Sequence, residues 1–200
     1  PFIKQSLAAD GAIACFSSNF FSFSLDADRA PQLKASVSWL PLLSKNMNDT
    51  DTLYKELQAD LDRISGPLFE FGETQVRKRG MFLPFGATLK HSGEVGFKAA
   101  SSGVEYESSI EVLPILHEGL RASVKQGGVA AVAICEWVKI TREGGKQTDA
   151  MKVLVEHERG LTVAFYVPCH KAIFKGWAFE GMFAQQTEPE VNAWDSGDAS

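Results

Sequence analysis

Val129-Ala130-Ala131-Val132-Ala133-Ile134-Cys135-Glu136-Trp137-Val138-Lys139-Ile140-Thr141 begins as an unbroken apolar run. A strand that is apolar at nearly every position is a central one, covered on both faces. A turn over Arg142–Thr148, with Gly144-Gly145, leads into Ala150–Arg159, which alternates. Met151, Val153, Val155 and His157 share one face there, and Lys152, Leu154, Glu156 and Glu158 the other. Gly160 turns the chain into Leu161–Val167, Pro168 breaks that strand, and Phe174–Gln185 reads as a last one. Strands joined by such short turns are antiparallel neighbours.

Upstream, a helix is expected over roughly Tyr106–Gln126. Ser108 and Glu111 have capping-box spacing, and Ile110, Leu113, Leu116, Leu120 and Val124 draw its buried face. Pro114 removes a donor inside it and should kink it or delay its regular part. Gly127-Gly128 ends it. Before that come strand-like stretches at Leu68–Arg79 and Met81–Leu89, with a turn at His91-Ser92-Gly93-Glu94 into Val95–Phe97. A first helix starts at Met47, capped from Asn48, Asp49 or Thr50. Leu53, Leu57, Leu61 and Ile64 form its stripe, and Ser65-Gly66-Pro67 should stop it. The fold class expected is α+β: an antiparallel sheet of about five to six strands with two principal helices packed on it.

Residues 1–46 carry seven of the 45 charged side chains, and the character changes abruptly at Met47. Three parts are expected: a weakly attached N-terminal extension over 1–46, a single α+β domain over 47–185, and a frayed acidic tail over 186–200. The alternative for the extension is an ordinary hairpin with strands at Ala12–Phe16 and Phe20–Leu25. The tail holds Glu188, Glu190, Asp195 and Asp198 and no basic residue, which is −4 of the net charge of −5.

That charge argues against a nucleic-acid partner, which would need a basic stripe. No apolar run approaches the ~18 residues of a membrane-spanning helix, so no membrane partner is expected. Cys15, Cys135 and Cys169 form no CxxC pair, and His91, His117, His157 and His170 are scattered. Neither a disulfide framework nor a structural metal site is expected, and the cytoplasm is the expected location. Asp10 interrupts the stretch where a secretory leader would be apolar.

Met81-Phe82-Leu83-Pro84-Phe85-Gly86-Ala87-Thr88-Leu89, followed by Ser92-Gly93-Glu94-Val95, resembles a family of bacterial proteins with no assigned activity. In that family a PFGA-like strand and an SGE- or DGE-like turn follow an N-terminal helix. Thr148-Asp149-Ala150-Met151-Lys152-Val153 and Gly181-Met182-Phe183-Ala184 look like later landmarks of the same family. The likeness spans roughly residues 50–189. No activity is assigned to that family, so the resemblance carries over no catalytic residue; no cofactor is expected.

Three side chains are weak catalytic candidates. Cys169 and His170 set a thiol beside an imidazole, but adjacent residues of an extended segment face opposite ways. His157 lies between Glu156 and Glu158 but shares its face with three apolar residues, which favours a packed core histidine. The two glutamates read as a solvated face. Gly144-Gly145-Lys146-Gln147-Thr148 fails as a phosphate loop, because Ile140 stands where the first glycine belongs. Gln75-Val76-Arg77-Lys78-Arg79 reads as a basic strand protecting an edge. Trp177, Phe179 and Phe183 share a parity and are expected on one face, as core or as a weak homodimer surface over Phe174 to Phe183. The function expected is a non-enzymatic cytosolic binding or regulatory domain for a small molecule or protein. The alternative is a small hydrolase or transferase using Cys169 or His157.

Overall fold

The computed structural model describes residues 15–17, 20–24, 47–103, 108–141, 145, 147–172 and 176–194. Its elements run β1 (Cys15–Ser17), β2 (Phe20–Ser24), α1 (Met47–Arg79), β3 (Phe85–Lys90), β4 (Val95–Ala100) and α2 (Ser109–Lys125). Then come β5 (Val129–Thr141), β6 (Gln147–His157), β7 (Thr162–Ala172), β8 (Gly176–Phe179) and β9 (Phe183–Gln186). The fold is α+β, with one antiparallel sheet in the order β1-β2-β4-β3-β5-β6-β7-β8, and β9 also on β7. Strands β4 and β5 run parallel, but β3 lies between them, and every hydrogen-bonded pair among the described strands is antiparallel.

Strand β5 shows how the two layers form. Ala131, Ala133 and Cys135 pack into the core under α1, while Val132 and Ile134 pack with Leu116 and Leu120 of α2. The helices therefore cover opposite faces, and the unbroken apolar run is the strand buried between them. No helix among the described residues is long and apolar enough to cross a membrane.

Helix α1 does not stop at Ser65-Gly66-Pro67. It continues to Arg79 with Pro67 inside it, so Leu68–Arg79 is helix and not a strand. An interior proline costs about 3 kcal/mol, and burying one large apolar side chain returns about 1.5–3 kcal/mol. Leu68, Phe69 and Val76 lie beyond the proline and are all buried, extending the Leu57, Leu61 and Ile64 stripe. Those three outweigh the one lost hydrogen bond. Gly72 lets the helix come close: a Cβ there would meet Met151 sulfur at 3.2 Å and Cys135 sulfur at 3.4 Å. The stop comes at Gly80, whose φ of 83° supplies the left-handed cap and whose N–H reaches the Val76 carbonyl at 2.8 Å. Arg77, Lys78 and Arg79 are thus the last turn of a helix, where cations are favoured, and not a strand edge.

Strand β3 starts at Phe85, later than the expected Met81, because Pro84 cannot donate to a ladder and Met81 is exposed. In α2 the Glu111 carboxylate accepts from the Ser108 N–H at 3.0 Å and from its hydroxyl at 2.8 Å. The expected buried face is corrected at one position: Ile110 is 84% exposed, and Val112 is buried in its place.

The last strand is divided. Cys169 pairs with Phe179 and Tyr166 with Phe183, so one extra residue lies between β8 and β9. A single insertion reverses which residues face each side. Trp177 and Phe179 accordingly face α1. Trp177 meets Trp137 edge-on at 5.5 Å, and the Arg77 guanidinium lies 4.9 Å from the Phe179 ring centroid. Phe183 turns to the other face and stacks on Tyr166 at 5.1 Å. The shared aromatic face read from parity does not exist, and the edge consists of two four-residue pieces.

At the other end, β1 pairs antiparallel with β2, and β2 pairs with β4; the remainder of the alternative strands Ala12–Phe16 and Phe20–Leu25 lies outside the described residues. The rest of the expected 1–46 extension lies outside the described residues. The chain after β9 is not frayed through residue 194. Val191 and Ala193 are buried against Leu116, Leu120, Val132 and Ile134, with Trp194 packed beside them.

Candidate functional site

Lys139, Asp149 and Cys169 fall in one row across β5, β6 and β7, because each is the register partner of the next. Beside that row the sheet leaves a cleft of about 400 Å³, which Thr148, His170, Lys171, Trp177 and Glu180 also line. Lys139 and Asp149 form an ion pair at 2.9 Å. The Thr148 hydroxyl donates to the Cys169 carbonyl at 3.3 Å, and His170 Nδ1 stands 3.4 Å from Glu180. Charges of both signs therefore ring one wall of indole.

Strand geometry separates the catalytic candidates. The Cys169 side chain is fully buried, whereas His170 is exposed. Burial above all, and then Asp149, pushes the Cys169 thiol up to about 12, although a Met151 backbone hydrogen bond opposes this. Such a sulfur is a packing atom at neutral pH. An alkylating reagent at pH 7 should therefore label Cys169 about a thousandfold more slowly than a free thiol. Labelling faster than the free thiol would mark a nucleophile instead.

His157 lies eight residues from Asp149 along β6, about 26 Å away at the strand rise. It is buried between β6 and α1. Its Nδ1 accepts the Arg159 N–H at 3.2 Å, which leaves the proton of the neutral ring on Nε2. Nε2 is 3.5 Å from Asp60, an ion-pair approach without an aligned hydrogen bond. Burial lowers the imidazole pKa, and Asp60 offsets this only in part. His157 thus belongs to the core, and the structure does not bring Cys169, His170 and His157 together.

A second constellation was not legible as one in the sequence. Glu158 is exposed, as a solvated face requires, but Glu156 is 3% exposed. The Glu156 carboxylate accepts the backbone N–H groups of Glu190, Val191 and Ala193. Beside it Lys152 binds both Glu136 and Glu190, and Lys152 and Glu136 are each only 12% exposed. Burial draws the Lys152 pKa down, but its hydrogen bonds and charge contacts with Glu190 and Glu136 outweigh that and hold it above its ordinary value. On α2, burial and then Arg121 lower the His117 imidazole, and its buried Nε2 has no partner. The available signal was Glu136 inside an apolar run, facing Lys152 across the pair. Comparison with family models finds no match, and comparisons with curated proteins and with solved structures find no significant one.

Proposed function

We propose that this chain is a non-enzymatic binding domain, and that its ligand is a small charged molecule held in the cleft at Lys139, Asp149, Lys171 and Trp177. The supporting observation is the cleft itself, where cations, carboxylates and an indole converge on one open space beside a thiol that carries no charge at neutral pH. Fixed charges of both signs orient a polar ligand, and an aromatic wall shields its apolar part. The cytoplasm remains the proposed location, a reading supported by two free thiols, Cys135 and Cys169.

A melting-temperature screen against small charged metabolites tests this reading. A ligand at a hundred times its Kd stabilises the native state by about 2.7 kcal/mol. Lys171 is exposed, so Lys171→Glu should abolish the shift while changing the unliganded stability by about 0.5 kcal/mol or less. Ligands whose shift survives both Lys171→Glu and Lys139→Ala bind elsewhere, and would end this assignment. The rival reading, a hydrolase or transferase using Cys169 or His157, would instead be supported by the fast thiol labelling described above.

A further inference from the structure

The groove beside α2, on the β5 and β6 face of the sheet, is filled by a later segment of the same chain. Residues 187–194 cross it without regular secondary structure, and three kinds of contact hold them there. The buried Glu156 carboxylate gathers three backbone N–H groups, and Lys152 takes the Glu190 carboxylate. Arg121 Nη1 donates to the Val191 carbonyl at 2.8 Å. Val191 and Ala193 occupy the apolar seat formed by Leu116, Leu120, Val132 and Ile134. Asn192 between them has a φ of 53°, the left-handed turn that lets successive amides converge on one anion.

These contacts read an extended chain by its backbone and by a short pattern. Glu156 and Arg121 bind main-chain groups of any sequence, Lys152 selects an acidic residue, and the seat accepts an apolar and then a small side chain. We propose that residues 187–194 are a detachable strap. The groove beneath them is then a docking surface for an extended acidic peptide, occupied here in cis. A partner's segment of the form acidic-apolar-x-small would enter when the strap lifts, meeting the same charges. The segment held in cis defines that occupant: Lys152, shared with Glu136, takes its Glu190 carboxylate, Arg121 takes a main-chain carbonyl, and Glu156 is already placed for backbone amides.

Amide hydrogen exchange on the full chain tests the strap. The Glu190, Val191 and Ala193 amides should exchange about a hundredfold or more faster than those of Val153–Val155, which open only with the sheet. Glu156→Gln should speed the strap amides a further ten- to hundredfold, roughly the worth of hydrogen bonds to a charged group, and leave the sheet amides unchanged. Arg121→Gln should act in the same direction and carries the test if the first variant does not fold. Strap amides that exchange in step with β6 would overturn the proposal.

A dye-labelled peptide of residues 187–194 tests the docking surface. It should bind the Val191→Asp chain, whose own strap is weakened and whose groove is intact, about tenfold tighter than the wild type. A tenfold change corresponds to about 1.4 kcal/mol. No saturable binding to Val191→Asp at about 1 mM, a bound of roughly −4 kcal/mol, would overturn the docking assignment. Strap protection that appears only at high protein concentration would overturn occupancy in cis, and would identify a second copy's strap as the occupant.

Discussion

Lys152→Ala should destabilise the fold by about 3–5 kcal/mol, because it leaves an uncompensated buried carboxylate. Lys152 and Glu136 are cross-strand partners joined at 3.0 Å, both nearly out of solvent, and Glu190 shares the same ammonium. Removing the cation leaves the Glu136 and Glu190 carboxylates without the ammonium they share. The urea midpoint at pH 7 measures the loss. The pair need not itself be a net stabiliser. Lys152→Met with Glu136→Leu should recover most of the loss, because well-packed apolar side chains often replace a buried pair at no cost. A Lys152→Ala chain within about 1 kcal/mol of wild type would show that water reaches the cluster and does the work assigned to the lysine.

Gly86→Val should be nearly as damaging, at about 3 kcal/mol or more, and Gly86→Ala should cost about 1–3 kcal/mol through overpacking. A Cβ on Gly86 would stand 2.7 Å from the Ala133 carbonyl oxygen and 3.4 Å from the Leu116 and Leu120 methyls. The oxygen belongs to the neighbouring strand and cannot rotate away, so β3 must shift or α2 must lift. Gly181→Ala is the control. A Cβ there meets nothing within 4 Å, and that change should stay within about 0.5 kcal/mol. Equal melting shifts for the two alanine variants would show that α2 is not held down where the geometry puts it.

Much of the fold was legible locally. The apolar run of β5, the alternation of β6 and the glycine turns around them contain period and turn chemistry within ten residues. The Gly93 turn forms as read, with its N–H on the Lys90 carbonyl at 2.8 Å. Ser108 and Glu111 meet as their spacing predicts, since a capping pair is one helical turn long. The buried His157 was also legible, because the alternation places it in an apolar row.

Tertiary structure decided the rest. Pro67 and Gly66 are helix stops by local rule, and they lose because β5 and β6 offer Leu68, Phe69 and Val76 a surface to bury against. Parity sent Phe183 to the face of Phe179, and one extra residue in the pairing with β7 reversed it. Glu156 has the alternation of a solvated side chain, but its amide partners arrive from 34 to 37 residues further on. The cleft likewise gathers residues from four strands whose nearness depends on register. Periodicity and turn chemistry act over a few residues and are written in the sequence; burial and the partners of buried charges depend on which distant segments meet, and only the folded chain settles that.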